Sequence, residues 1–475
     1  MLTKDNKLGL YALIAMCIGS MIGAGLFALP QVVASSTGVV ALLVAWTITF
    51  SGMFCLAKVF QNLSMRRPDL DVGIYAYAKE GLGNYFGFNS AWGYWLSAWL
   101  GNISYVMMLC TALSLFFPIF GDETSFASLI LSSVFVWGTT YLCLIGVRSA
   151  AMVNVVVTIA KIIPIFIFIV IVAYAFNSHT FTADIWQIAK LGSITSQVKS
   201  MMLVTVWIFV GIEGASVFSA RARNRRDVGR ATIISFIVMF LILFAVSVLP
   251  FGVLSQTELA SLQSPSTGAL LAHIIGPWGG VFMNIGVIIA VSGALLAWIL
   301  IAAEVPYVAG KKDGLFPQVF ASENKAYSPS GSLLITAVCQ QLYLIVAHFY
   351  KSGYLATISL AASTILLPYL FSAFYASLLA FLGKTYEEES AKERVKDLLI
   401  SLVAIVYGIW LFYAAAGKYL LLTSILYFVG SIVFIFNKRR RKQKVFNKYE
   451  VLLFLIISVL GIGCVVALVM GKITL

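Results

Sequence analysis

Long apolar runs separated by short polar connections cover almost the whole of this 475-residue chain. A helix that crosses a membrane needs roughly 20 consecutive apolar residues, and thirteen segments are of spanning length. They lie at 8–33, 38–62, 88–117, 125–146, 150–177, 199–219, 230–254, 276–310, 331–349, 353–382, 395–416, 418–437 and 449–471. The pattern predicts an all-α polytopic membrane protein with about 12–13 transmembrane helices. Residues 72–86 are too polar to span and suit a helix at the membrane interface.

The composition supports this prediction. Hydrophobic residues make up 61% of the chain and charged residues 11%, whereas a soluble protein carries roughly 25% charged residues. The first apolar run continues past Pro30, which is too long for the core of a signal peptide, about 7–15 residues. We therefore expect the first helix to be retained.

In a membrane protein, a net charge of +13 mainly indicates which connections face the cytoplasm. In a soluble chain it would favour nucleic acid as a partner, but 25 of the 32 Lys and Arg residues fall in connections on the side of the N-terminus. Cytoplasmic loops are enriched in Lys and Arg. We therefore predict a cytoplasmic N-terminus and no nucleic-acid partner. The basic run 438–448 also attracts anionic lipid, so membrane lipid is an expected partner.

The first apolar segment is interrupted by Gly19, Gly23, Gly25 and Pro30. Non-helical backbone at membrane depth is tolerated only where it is buried in protein or lines a cavity. Transporters use such breaks to bind charged substrates near the midplane. Glycines four residues apart also let transmembrane helices pack closely, so the spacing of Gly19 and Gly23 alone leaves both interpretations open.

The sixth segment repeats this arrangement, because Trp207 precedes Gly211, Glu213 and Gly214. Two broken helices five segments apart indicate two five-helix halves of opposite orientation. We predict a 5+5 inverted-repeat, LeuT-like transporter core with discontinuous helices 1 and 6. The predicted core covers residues 1–390, and residues 391–475 form peripheral C-terminal helices.

Glu213, Glu304 and Lys161 are charged side chains within apolar segments, where an ionised group is costly unless it is paired or hydrated. Glu213 is a candidate for substrate contact or gating, and a structural carboxylate bound to the helix break is the alternative. Glu304 is interpreted as a gate residue or as a structural pair. Lys161 lies further from the surface than a lysine side chain easily reaches, although snorkelling is the alternative interpretation. If the side chain stays inside, its ammonium group would replace a sodium ion or exchange a proton.

Aromatic residues at mid-depth suggest a site for a cationic group. Trp207 and Trp298 lie there, although transmembrane Trp residues usually occupy interfacial belts. An aromatic face binds cations, and the third segment adds Tyr94 and Asn102. Ordinary core packing is the alternative for each ring. The six Cys and three His residues show no ligand spacing, so we predict neither a metal site nor a cofactor.

Six motifs carry a resemblance that covers nearly the whole chain. They are GAGLFALP at 23–30, GIYAYAKE at 73–80, WLSAWLGN at 95–102, WIFVGIE at 207–213, DGLFP at 313–317 and LPYL at 367–370. With them the chain resembles the amino acid–polyamine–organocation (APC) superfamily and, within it, the basic amino acid/polyamine antiporters. The stretches 201–207 and 213–222 are most similar to arginine/ornithine antiporters, and an arginine/agmatine branch is close behind.

The resemblance implies roles for the matching residues. The break at 23–25 would bind the substrate carboxylate, Trp298 would stack on its cationic side chain, and Trp207 would close over it. The implied substrate-binding residues are Ile22, Gly23, Ala24, Gly25, Tyr94, Ala98, Asn102, Tyr105, Trp207, Val210, Gly211 and Trp298, and the gating or coupling residues are Glu213, Lys161, Glu304 and Tyr369. Ala24 stands where acid-resistance arginine/agmatine exchangers have Ser, and Tyr105 replaces a smaller side chain, so selectivity stays open.

The predicted function is secondary-active antiport in a bacterial cytoplasmic membrane, with extracellular arginine exchanged for cytoplasmic ornithine by alternating access. The alternatives are exchange of arginine for agmatine, of histidine for histamine or of lysine for cadaverine. A proton-coupled permease for a basic amino acid, with Lys161 or Glu213 as proton carrier, is a further alternative. An enzyme or a channel is disfavoured, since neither a nucleophile motif nor a symmetric filter is evident. Members of the family are often homodimers, but the sequence identifies no dimer face.

Overall fold

Over the residues that it describes, the computed structural model of the chain has helix along most of each predicted apolar segment. The structure describes residues 9–70, 73–146, 150–183, 185–213, 222–387, 390–415 and 417–472, without the side chains of 150–159 and 225–226. The basic residues 1–8, Arg148 and Arg221 and the end of the sixth segment at 214–219 lie outside these ranges. Over the described residues, ten helices are long and apolar enough to span a membrane, or eleven with one bent pair.

The first half of the chain contains seven longer helices and one short one. They are α1 (Leu10–Met21), α2 (Ala24–Ala34), α3 (Val39–Arg66), α4 (Ile74–Leu82), α5 (Asn84–Leu113), α6 (Phe126–Leu144) and α7 (Ala150–Tyr174) with the short α8 (Ser178–Thr182). The predicted interfacial helix at 72–86 is the nine-residue α4. Its end differs from the prediction because Gly83, at a φ of 118°, turns the chain into α5.

The second half repeats this order. It contains α9 (Ile188–Leu191), α10 (Ile194–Phe209), α11 (Arg225–Val248), α12 (Gln256–Ser261), α13 (Ser266–Ile275), α14 (Pro277–Asp313), α15 (Ser330–Tyr350), α16 (Tyr354–Leu382), α17 (Ala391–Ala415), α18 (Lys418–Arg440) and α19 (Lys448–Val469). The α10 helix has 16 residues, which is too short to span a bilayer without the backbone that follows it.

The centre of the bundle is α5, which packs against α14 and α16. In its apolar window 89% of the residues are buried, whereas the last helix, α19, has 17% buried and rests on α18. A helix that is apolar on every side belongs in a protein core or against lipid. The broken helices reach this centre, since α2 packs against α5 and Trp207 of α10 lies close to Gly101 of α5.

Ion pairs tie the polar connections at one end of the bundle. Lys79 of α4 contacts Asp313 at the end of α14 at 2.5 Å, and Arg67 binds both Asp69 and Glu80. The hydrogen bond from Arg67 lowers the pKa of the Asp69 carboxyl group from its ordinary value. These contacts fix α4 against the ends of the longer helices.

Candidate substrate site

The first helix break places backbone groups at the centre of the bundle. α1 ends at Met21 and α2 begins at Ala24, and Ile22 and Gly23 are extended between them. The two helices are bent by 48° at this point. The first amides of a helix have no partner within it, so α2 presents N–H groups and the positive end of its dipole here.

Glycine lets aromatic rings contact the broken helix directly. A Cβ on Gly23 would lie 2.7 Å from the Tyr105 hydroxyl, and one on Gly25 would lie 3.2 Å from the Trp207 indole. A Cβ on Gly101 of α5 would lie 2.7 Å from the same indole. Trp207 is therefore held between α2 and α5, where a larger residue at either glycine would displace it.

The second helix break faces the first. α10 ends at Phe209, and Gly211 has a φ of 108°, which glycine adopts without steric cost. The Ser20 hydroxyl donates to the Gly211 carbonyl at 3.1 Å, and the Trp298 indole donates to the Ser20 carbonyl at 3.2 Å. Ser20 thus joins both breaks to α14.

These elements surround a small cavity. Small-molecule sites are typically lined by apolar and aromatic side chains with a few precisely placed polar groups, and the lining here has this character. Backbone from the first break forms one wall, and aromatic rings of α5, α10 and α14 form the others. The lining residues are Met21, Gly23, Ala24, Gly25, Leu26, Ser97, Ala98, Gly101, Tyr105, Trp207, Ile208, Val210 and Trp298.

A buried carboxylate connects three elements beside the cavity. Glu213 accepts a hydrogen bond from the Tyr369 hydroxyl at 2.8 Å and one from the Gly211 amide at 3.2 Å. The Tyr94 phenol also bonds to this carboxylate. The contact with the backbone corresponds to the structural alternative, but the two tyrosines extend it to α5 and α16. A movement of either helix relative to α10 would have to break these bonds.

Lys161 lies on α7 with 1% of its surface exposed, and its ammonium group is turned inward. It donates to the carbonyls of Gly19 and Ile22, each at 3.2 Å. These carbonyls end α1, where intrahelical partners are missing. Snorkelling to the surface is therefore the wrong interpretation of this lysine. The amine of Lys161 thus supplies donors to carbonyls at the end of α1.

Comparison with known proteins identifies the family to which this site belongs. Residues 8–424 match the model of a family described as amino acid permease. The chain belongs to the amino acid permease family. The permease is therefore a multi-pass membrane transporter and not an enzyme, and the predicted APC relationship is confirmed.

Two relatives are similar over nearly their full lengths. An arginine/ornithine antiporter from Pseudomonas aeruginosa is 47% identical over 98% of the permease and 97% of the relative. An arginine/agmatine antiporter from Chlamydia caviae is 39% identical over 97% of the permease and 96% of the relative.

A solved structure confirms the predicted fold class. The crystal structure of MhsT in complex with L-phenylalanine superimposes with a TM-score of 0.61 at 14% sequence identity. It matches 85% of the permease and 98% of that chain. At this identity the likeness concerns the fold alone.

Two thirds of the predicted binding residues line the cavity of the permease. They are Gly23, Ala24, Gly25, Ala98, Tyr105, Trp207, Val210 and Trp298. Tyr94 and Gly211 instead contact Glu213, and the carbonyl of Ile22 is bound by Lys161. Asn102 is buried with neither side-chain polar atom hydrogen-bonded to any described residue, which is a costly state unless a ligand or water completes it.

Glu304, predicted as a gate residue or a structural pair, is exposed on α14 and does not line the cavity, and its role stays a prediction. Conversely, Ser97 and Gly101 line the cavity but were not predicted. They lie three and four residues from predicted positions on α5, so helical spacing could have identified them. Met21, Leu26 and Ile208 were missed because apolar residues carry no chemical signal in a membrane segment.

Proposed function

We propose that the permease exchanges extracellular arginine for cytoplasmic ornithine. One observation carries the proposal: two helix breaks and two tryptophans, Trp207 and Trp298, meet at one cavity. The 47% identity to an arginine/ornithine antiporter over nearly the whole chain supports this exchanged pair. Arginine and ornithine each carry one positive charge, so the exchange is electroneutral.

The substrate carboxylate binds at the first break in this proposal. The amides of Gly23, Ala24 and Gly25 begin α2, and a helix N-terminus favours a negatively charged group. Ala24 supplies no hydroxyl, so backbone amides have to provide the hydrogen bonds. The α-amino group of the substrate binds at the carbonyls of Val210 and Gly211, where Ser20 now donates to Gly211.

The cationic end of the substrate binds between aromatic rings. Trp298 stacks on it, Trp207 closes over it, and Tyr105 and the amide of Asn102 set the distal end of the pocket. A cation–π contact contributes about 0.5–2 kcal/mol, which selects a cation and still allows its release. This balance is what an exchanger needs, because both arginine and ornithine have to leave the site.

Alternating access follows from the contacts around the site. The Glu213 carboxylate, with Tyr94 and Tyr369, forms a gate that closes when α5, α10 and α16 come together. The ammonium group of Lys161 replaces a coupling cation at the end of α1, so transport is independent of sodium. The N-terminus lies in the cytoplasm of a bacterial cell, and residues 1–390 form the transporting core.

The test is uptake of radiolabelled arginine into proteoliposomes that contain ornithine, agmatine, histamine, cadaverine or no substrate. We expect rapid uptake with ornithine inside and almost none into empty vesicles. Uptake with agmatine alone would assign the arginine/agmatine pair. Uptake into empty vesicles driven by a pH gradient would contradict obligate exchange and support the proton-coupled permease.

The aromatic contact is tested by Trp298→Ala in the same assay. We expect the half-saturating arginine concentration to rise about fivefold to thirtyfold, corresponding to loss of a contact of about 1–2 kcal/mol. Trp298→Phe retains a ring and loses the indole donor to Ser20, so it separates stacking from this hydrogen bond. An unchanged half-saturating concentration in the Ala variant would refute the role of Trp298.

A further inference from the structure

A second, open pocket of about 580 Å³ lies where α14 and α18 end. It is separate from the substrate cavity and shares no lining residue with it. The end of α14, the turn after it and the last turn of α18 form its walls. Its lining residues are Gly310, Lys311, Pro317, Gln318, Ala321, Phe436, Asn437, Arg440 and Arg441.

The frame of this pocket is fixed by buried hydrogen bonds. The side-chain amide of Asn437 donates to the carbonyls of Gly314 and Leu315 at 2.9 and 3.0 Å. Asn437 is 4% exposed, and the Arg441 guanidinium donates to the side-chain oxygen of Asn437 at 3.4 Å. A Cβ on Gly314 would lie 2.5 Å from the Arg441 guanidinium. The end of α18 is thus held against the end of α14, and the pocket lies between two anchored helices.

Three of the lining side chains are cationic and exposed. Arg440 donates no side-chain hydrogen bond to any residue that the structure describes, and among those residues Arg441 donates one only to the neutral Asn437. Lys311 is paired with Glu323 at 2.5 Å. One carboxylate therefore offsets one of three positive charges, so the pocket retains two guanidinium groups for an anion. Guanidinium groups bind phosphate oxygens with paired hydrogen bonds.

The position of the pocket indicates where the phosphate comes from. Phe436 is 65% exposed and precedes Arg440 by four residues, so both lie on one face of α18. Along this face an apolar surface gives way to cationic groups at the end of a membrane-spanning helix, as hydrocarbon gives way to headgroups in a bilayer. We propose that the pocket binds the phosphate of an anionic phospholipid headgroup, with an acyl chain against Phe436.

The test measures binding of short-chain phosphatidylglycerol to the purified permease in an uncharged detergent, with phosphatidylcholine and inorganic phosphate as parallel probes. The pocket variant is R440Q/R441Q. The matched control is K442Q/K444Q, which removes two charges from exposed positions outside the pocket lining. A basic side chain near an anionic membrane contributes about 1 kcal/mol, which is about fivefold in affinity, so we expect about thirtyfold weaker binding by the pocket variant alone.

Each other outcome contradicts part of the proposal. Equal losses in both double variants would mean that binding follows total charge and not this pocket, and unchanged binding by R440Q/R441Q would exclude the pocket. Inorganic phosphate that competes at concentrations similar to phosphatidylglycerol would assign a free anion instead of a lipid. Thermal unfolding checks that the variants fold, and Arg440→Lys, which keeps the charge, should retain most of the binding.

Discussion

Lys161 combines an ionisable amine with almost complete removal from the surface. Its ammonium group contacts two carbonyls at the end of α1, those of Gly19 and Ile22. The Ile22 carbonyl comes directly before Gly23, where α2 turns away. A donor at this point therefore influences how the first break is held, although Lys161 does not line the cavity.

Replacement of this lysine by methionine keeps the length of the side chain and removes the donors. We expect Lys161→Met to slow arginine exchange at least tenfold, because each buried carbonyl that loses its partner costs about 1–3 kcal/mol. Lys199→Met is the control, since Lys199 is a half-buried residue of α10 that lies over the Tyr413 ring and outside the cavity lining. Wild-type exchange should be equal in sodium and choline chloride, and dependence on sodium would contradict the proposed role.

The gate tyrosine allows a second test at the residue scale. Tyr369→Phe removes the hydroxyl that donates to Glu213 at 2.8 Å, a loss of about 1 kcal/mol. Because Tyr369 does not line the cavity, we expect the maximal exchange rate to change several-fold and the half-saturating arginine concentration to stay constant. Tyr375→Phe on the same helix is the control. A change in half-saturation alone would place Tyr369 in binding and not in gating.

Individual side chains were predictable from sequence where their chemistry is unusual for a membrane. Lys161, Glu213 and Trp298 stand out in apolar segments, and the structure gives all three specific polar contacts. Ser20 was not predicted, because its role depends on Gly211, which is 191 residues away. The exposure of Glu304 likewise depends on which face of α14 packs inward, and that face is determined by neighbouring helices.

At the scale of elements, hydropathy located the helices well because a membrane span has a minimum apolar length. The breaks were predicted from Gly23 and Gly211, since glycine tolerates backbone conformations that other residues avoid. The sequence did not specify the contacts of the last helix. α19 is mostly exposed, yet its first turn carries a carboxylate that reaches the centre of the bundle.

This carboxylate belongs to Glu450, which is 2% exposed and accepts from the backbone amide of Tyr85 at 2.7 Å. We expect Glu450→Ala to lower the midpoint of thermal unfolding, because a buried amide without an acceptor costs about 1–3 kcal/mol. Glu450→Gln retains an acceptor and should recover most of the stability. Glu393→Ala, at an exposed position of α17, is the control, and an equal loss in that variant would argue against a specific anchor.

At the scale of the whole molecule, the two five-helix halves place both breaks at one cavity. Neither half alone contains the site, since Trp207 and Trp298 come from the second half and the amides of Gly23 to Gly25 from the first. Access to the site therefore depends on contacts between the halves. Strict exchange requires in addition that the empty carrier rearranges slowly, which is a kinetic property that sequence does not encode in any single motif.

The distribution of Lys and Arg predicts how the whole molecule is oriented in the membrane. Lys and Arg are concentrated in alternate connections, including 438–448, and such connections stay in the cytoplasm. In a variant without native cysteines, we expect Ser261→Cys to react with an impermeant maleimide on intact cells. Lys444→Cys should react only after lysis, and both should react in detergent. Labelling of Lys444→Cys on intact cells would show that the molecule has the opposite orientation. The basic pocket lined by Arg440 would then face the other leaflet.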